Sequence, residues 1–280
     1  MKKLGSRFIA LVFCCWALIY SCDNSIDPLD KETGIYAIYG VFDLNEPTNF
    51  IRIRDMNVPF TAEATREIDA DVTLENLQTG SILMLESERQ QYEDIYVHNF
   101  MYINEVIPDT EYQLTVEGSD GAAVNITITT PTMPAPQANP LNQNCHVPID
   151  FELSPLNGST VVLRVGLPPD YEEGEDEDDW SWGRQHVLKP GDDQSPGKII
   201  FTFIPHEQVN QIVPFSNQNC WDHLHDGNIH VSYIHYGPGF YERISEEPFD
   251  IFGSTQRFGA LYYDTLAIPI DTSRVCPQDC

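Results

Sequence analysis

The chain has 280 residues, 41% of them hydrophobic, with 15 Lys and Arg against 43 Asp and Glu, a formal net charge of −28 at pH 7. So acidic a surface repels the phosphates of nucleic acid and the headgroups of anionic lipid, which removes both as electrostatic partners. The apolar content is enough for one large core or two modest ones.

The first segment reads as an export signal. Lys2, Lys3 and Arg7 precede an uncharged, mostly apolar run from Phe8 to Ser21. That run has the length of a signal core and is too short to span a bilayer comfortably. Ile19-Tyr20-Ser21-Cys22 resembles a lipobox, in which a peptidase cuts before a lipid-bearing cysteine. Residues 1–21 are therefore expected to be a lipoprotein signal peptide, Cys22 the lipidation site and residues 22–34 a flexible tether. At about 0.8 kcal/mol per buried methylene, two or three acyl chains on one cysteine make a durable anchor. No later segment reaches ~18 consecutive apolar residues. Asp23, Asp27, Asp30 and Glu32 follow the cysteine. Their placement is similar to the acids that sort lipoproteins of Gram-negative bacteria to the cell surface. The expected location is the outer membrane, lipid-anchored, at the cell surface or otherwise on the periplasmic face.

From Ile35 the pattern is strand after strand. Ile35–Asp43, Phe50–Arg54, Asp71–Leu77, Ser81–Glu86, Ile95–Ile103, Glu111–Glu117 and Ala122–Thr130 are rich in β-branched and aromatic residues or alternate apolar with polar. Such alternation sets one face on a core and the other in water. Turn signals at Asn45-Glu46-Pro47, Thr79-Gly80, Pro108-Asp109 and Ser119-Asp120-Gly121 separate the segments. The series predicts an immunoglobulin- or fibronectin-like β-sandwich over residues 35–130. Prolines from Pro131 to Pro140 cannot supply ladder hydrogen bonds and predict an extended linker over residues 131–144. Residues 145–280 read as a second β-rich domain. Its expected strands are Val147–Leu153, Ser159–Leu167, Lys198–Ile204, Ile229–Tyr236 and Phe258–Leu266, with short helices at His206–Ile212 and Phe240–Glu247. The predicted fold class is mainly β. Residues 168–197 form a long acidic loop that contains a self-repelling run from Asp170 to Asp179.

Seven cysteines divide by compartment. Cys14 and Cys15 leave with the signal and Cys22 takes lipid, while Cys145, Cys220, Cys276 and Cys280 enter an oxidising space. Four thiols there make two disulfides in one of three pairings, with Cys145–Cys220 and Cys276–Cys280 the favoured one. The acidic loop lacks the spaced ligand order of a calcium site, so at most it binds a divalent cation weakly, and no cofactor is expected. Trp180 and Trp182 fall on one side of an extended segment. With Asp176, Asp178 and Asp179 they are the candidate contact for a ligand or partner, where an indole pair would take a sugar ring or an apolar side chain. The alternative is that the indoles fold back over the second domain. His223 and His225 would share a strand face and are the weak candidates for a metal. Asp226 directly after them departs from the His-x-His-x-Asp-His run of metallo-hydrolases. No Gly-x-Ser-x-Gly, His-Glu-x-x-His or phosphate-cradling loop is present, so no catalytic residue is assigned and a non-enzymatic protein is expected. Asp264-Thr265-Leu266 resembles a three-residue acceptor for O-glycosylation of exported proteins, which makes Thr265 a candidate site.

These segments together resemble a family of outer-membrane lipoproteins, the domain of unknown function 4249 type. The resemblance lies in Tyr36–Phe42, Asp69-Ala70-Asp71-Val72-Thr73-Leu74, Glu111–Val116 with the Asp120-Gly121 turn, and Thr129-Thr130-Pro131. It continues in Cys220-Trp221, Phe258-Gly259-Ala260 and the terminal Cys276-x-x-x-Cys280. The acidic loop and the spacing of the last cysteines depart from the family pattern. The resemblance implies an outer-membrane lipoprotein, often encoded near TonB-dependent receptors, with such a receptor as a candidate partner. The expected function is that of a non-enzymatic accessory or ligand-capturing partner of a transport complex. The alternatives are a structural or adhesive cell-surface lipoprotein and a metal-binding hydrolase.

Overall fold

Alternation in the sequence becomes alternation in burial. A computed structural model describes residues 36–56, 67–92, 95–139, 145–154, 156–167, 181–189, 198–212, 227–245 and 256–271. In chain order the elements are β1 (Tyr36–Asp43), β2 (Asn49–Asp55), β3 (Ala70–Asn76), β4 (Ser81–Met84), β5 (Glu86–Tyr92), β6 (Ile95–Tyr102), β7 (Glu111–Gly118) and β8 (Ala123–Thr129). There follow β9 (Gln137–Asn139), β10 (Ile149–Leu153), β11 (Thr160–Leu167), β12 (Ser181–Trp182), β13 (His186–Leu188), β14 (Ile199–Phe203), α1 (Pro205–Ile212), β15 (Asn228–Tyr236), α2 (Phe240–Ser245) and β16 (Gln256–Pro269). The protein is mainly β, as its composition and periodicity predict.

One long sheet runs β12-β11-β15-β16-β1-β2-β6-β5, with β13 also on β11. Two smaller sheets cover its two halves, β4-β3-β7-β8 over the first and β14-β10-β9 over the second. In the first half, β1-β2-β6-β5 faces β4-β3-β7-β8, the A-B-E-D and C′-C-F-G orders of an immunoglobulin sandwich. Even-numbered residues of β3, β7 and β8 and odd-numbered residues of β2 meet in its core, which includes Ile51, Ile53, Leu74, Leu114 and Ile126. Phe42 lies at the centre of the core's aromatic group. It stacks on Tyr102 at 5.2 Å and meets Tyr112 and Phe258 edge-on at 5.8 and 5.0 Å.

Tyr112 sits second in β7 and its phenolic oxygen accepts the N–H of Ile107 at 3.1 Å. That is the tyrosine corner of immunoglobulin sandwiches, reached here without the disulfide that accompanies it in antibodies. Removing the acceptor strands a partly buried amide. Tyr112→Phe is expected to cost about 1–2 kcal/mol, read as a lower urea midpoint with unchanged slope. An unmoved midpoint would show that ring packing alone holds the corner.

The second core joins β10 and β14 to β11, β15 and β16, with Ile149, Phe151, Leu163, Val165, Val231 and Tyr233 inside and Val209 of α1 at its side. The sequence places a boundary between separate domains at residues 131–144. The structure instead groups Ile35–Cys280 into one unit. β16 is the reason: Gln256–Leu261 runs parallel to β1, and Leu261–Pro269 runs antiparallel to β15. Phe258 and Ala260 thereby enter the first core, and Leu44 packs against both cores.

The expected linker is also built in. Pro131, Thr132 and Pro134 are buried, and Gln137–Asn139 pairs with β10 as β9. The span expected to be an acidic loop, residues 168–197, likewise contains two short strands, since β12 and β13 both pair with β11. Gly237 lets β15 pass close to the end of β8, because a Cβ there would collide with the carbonyl oxygen of Thr129. A second link joins two turns: the Asn157 side-chain amide donates to Asp109 Oδ1 at 2.7 Å, and both residues have positive φ.

Candidate binding surface

Register across β12, β11, β15 and β16 determines which side chains share the outer face of the long sheet. Core residues occupy the odd positions of β11, so Val162, Arg164 and Gly166 face outward. Trp182 pairs with Gly166, which pairs with His230, which pairs with Ala267. The next row holds Arg164, Ser232 and Thr265. The indole of Trp182 lies over Gly166, where any Cβ would collide with its ring. The strand is held by the Gly183 N–H, which donates to the Val165 carbonyl at 2.8 Å. Beside it the Arg164 guanidinium donates to Gln185 Oε1 at 3.0 Å. The result is a partly exposed indole laid on a sheet, in register with an imidazole and beside a guanidinium. Chemically that is a stacking platform with hydrogen-bond donors at its rim.

The opposite side of the same strands carries a polar row, buried at Tyr233, His235 and Tyr262 and exposed at Asp264. Tyr233 pairs with Asp264, and His235 pairs with Tyr262. Both hydroxyls donate to Asp264 Oδ2, from Tyr233 at 3.3 Å and from Tyr262 at 3.1 Å. Burial first, then the neighbouring phenol and carboxylate, push the Tyr233 hydroxyl far above its ordinary range. Burial and Asp264 also raise Tyr262, so both rings stay protonated donors. His235 is fully buried and neither ring nitrogen has a hydrogen-bond partner. Burial pushes its pKa down to about 4, so the imidazole is neutral at pH 7.

At the other end of the second core, the His206 N–H donates to the Cys145 carbonyl at 2.9 Å, and the rings of His146 and His206 lie 4.4 Å apart. Burial, then the His206 charge, lowers the pKa of His146. Cys145 is fully buried and disulfide-bonded, and it is the only cysteine among the described residues.

Of the residues singled out in the sequence, Trp182 and Thr265 come to one face, three strands apart, roughly 14 Å at ordinary strand spacing. Thr265 is exposed, and its N–H is taken by Asp264 Oδ1 at 2.7 Å. Cys22, Asp176, Asp178, Asp179, Trp180, Cys220, His223, His225, Cys276 and Cys280 lie outside the described residues. Among the described residues no group of three or more His, Cys, Asp or Glu is arranged to hold a metal ion. No helix among them is long and apolar enough to cross a membrane. Arg164, Gln185 and His230 join the surface without having been singled out. Their only signal is alternate placement along strands, which by itself marks a solvated face.

No family model and no curated protein matches the chain. Solved structures do match at low similarity. A pullulanase from Anoxybacillus sp. LM18-11 is 10% identical over 71% of this chain and 24% of its own, with a TM-score of 0.25. An alpha-2-macroglobulin from Salmonella is 9% identical over 88% of this chain and 15% of its own, with a TM-score of 0.26. A tetra-tandem repeat from the extending region of a large adhesion protein is 12% identical over 87% of this chain and 50% of its own, also at 0.26. The chain thus spans a quarter or less of the first two. The fold class rests on the strand pairing of this chain itself.

Proposed function

We propose that this is a lipid-anchored outer-membrane protein that binds a partner or ligand as a non-enzymatic accessory of a transport complex. The observation that carries the reading is Trp182, laid over Gly166 on the outer face of the long sheet beside Arg164, Gln185 and His230. An indole folded back on the sheet but still partly exposed, at the end of the acidic run, presents a face that a partner can contact. The lipobox-like Ile19–Cys22 and the family resemblance support the location and the choice of a membrane receptor as partner. Trp180, Asp176, Asp178 and Asp179, which lie outside the described residues, belong to the same proposal through their nearness to Trp182 in sequence. Asp264-Thr265-Leu266 supports a second feature of that face, a glycan on Thr265.

The test is a mild-detergent pull-down of the lipidated protein from its native membrane, with mass spectrometry of what accompanies it. A β-barrel receptor in stoichiometric amount is the expected result. Trp182→Ala should lower its recovery severalfold at unchanged thermal midpoint. Gly166→Ala should act in the same direction by lifting the indole from the sheet. Recovery of the protein alone would turn the assignment toward a structural or adhesive role, and stoichiometric metal lost with His223→Ala and His225→Ala would turn it toward a hydrolase.

A further inference from the structure

The first sandwich presents edge strands at β5, β4 and β8, and the first two are built in opposite ways. β5 closes the long sheet with Glu86, Glu88, Arg89, Gln90 and Gln91, charged and polar side chains of the kind that keep an edge from recruiting another strand. β4 closes the facing sheet with Ser81-Ile82-Leu83-Met84, which carries no charge and is exposed throughout, Ile82 to 65% and Met84 to 61%. Leu85 alone separates the two strands in sequence. Among the described residues, β5 is a protected edge and β4 an open one.

Backbone geometry shows what the open edge offers. The Leu85 N–H donates to the Val72 carbonyl at 2.8 Å, and Leu83 stands opposite Leu74. Antiparallel residues alternate between bonded and unbonded pairs, so Leu83 and Leu85 turn their polar groups toward β3. The N–H and C=O groups of Ile82 and Met84 therefore point to the open side. Leu83 lines a cleft of about 240 Å³ together with Leu74, Tyr102, Ile107 and Tyr112. Ile82 and Met84 stand on the outer face. An added strand would find two backbone hydrogen-bonding residues and apolar contact on both of its faces.

Charge selects the occupant. The sequence contains no Lys or Arg between Arg89 and Arg164. The sheet of β4, β3, β7 and β8 carries Asp71, Glu75, Glu111 and Glu117 and no cation, and Glu75 stands directly opposite Ile82. A second copy would bring the same carboxylates to the same edge. We propose that the β4 edge takes an extended segment of a basic partner protein, apolar at alternate positions and flanked by Lys or Arg, as an added strand. This surface is distinct from the Trp182 face, and its occupation does not depend on the function proposed for that face.

The probe is a fluorescent peptide of alternating Val and Thr with Lys pairs at both ends, titrated into the mature full chain and read by anisotropy. Saturable binding that weakens with salt is expected, at least about tenfold tighter than for the same peptide with Glu ends. Met84→Pro removes an open-side N–H and no bond to β3, so it should abolish binding with the thermal midpoint unchanged. Ile82→Lys, a charge on the outer face, should weaken binding about tenfold or more. Deleting residues 176–182 should leave it intact. The proposal is overturned by absent or unsaturable binding, by equal binding of the Glu-ended peptide, or by full binding to Met84→Pro. A concentration-dependent dimer that Met84→Pro dissolves would also overturn it, because the occupant would then be a second copy.

Discussion

Phe258→Ala is expected to lower stability by about 3–5 kcal/mol and to unfold both halves of the chain in one transition. Phe258 belongs to β16, yet its ring is buried in the first core, edge-on to Phe42 at 5.0 Å. Truncation leaves a cavity against Phe42 and β1 that neighbouring strands cannot fill without breaking register. The loss should spread, because β16 continues from its pairing with β1 into its pairing with β15 and so into the second core. Urea unfolding followed by near-ultraviolet circular dichroism, with amide exchange in β2 and β11, tests this. Two separate transitions, with β11 protected after β2 has opened, would show that the halves are energetically independent.

Acidification from pH 6.5 toward pH 4 is expected to cost up to about 3 kcal/mol through His235 alone. The imidazole has a pKa of about 4 in the fold against an ordinary value of 6.5. Between those values the unfolded chain binds a proton that the folded chain refuses, so stability is full above pH 6.5 and falls as pH drops. The groups facing His235 do not offset this. Tyr262 is its cross-strand neighbour and Tyr233 shares its face, and both phenols stay neutral throughout the window. Carboxylates elsewhere also titrate there, so the comparison that isolates the effect is His235→Leu. Its stability should match or exceed the parent at pH 7 and should exceed it by a margin that widens as pH falls to 4. Parallel pH profiles for the two proteins would show that the His235 ring is solvated or partnered.

Local chemistry was legible where the chain alternates. β2, β3, β7 and β8 were anticipated to within a residue or so, because their inward residues are apolar and their outward ones polar, and Pro205–Ile212 formed a helix close to the expected span. β5 was missed because Glu86–Tyr92 has no apolar alternation. It is a strand because the edge of β6 accepts it. β9, β12 and β13 were missed for a related reason: two or three residues carry no period, and only pairing with β10 or β11 makes them strands. The candidate surface was half legible. Trp182 and Thr265 stood out by residue type and local motif, whereas Arg164, Gln185 and His230 matter only through register across strands.

By itself the sequence determined a mainly β protein, its acidity, the turns between its strands and the inward face of most of them. These depend on neighbours within a few residues, through side-chain period and backbone preference. Only tertiary structure decided that the expected domains share one sheet, that Phe258 belongs to the first core, and that β5 is shielded while β4 is open. Those outcomes depend on which strand edges remain unpaired after the local hairpins form. The pairing of β1 with β16 joins segments more than two hundred residues apart. No local pattern encodes it, because a parallel partner is selected by edge availability and by the fit of Phe258 and Ala260 into a core that the other strands have already shaped.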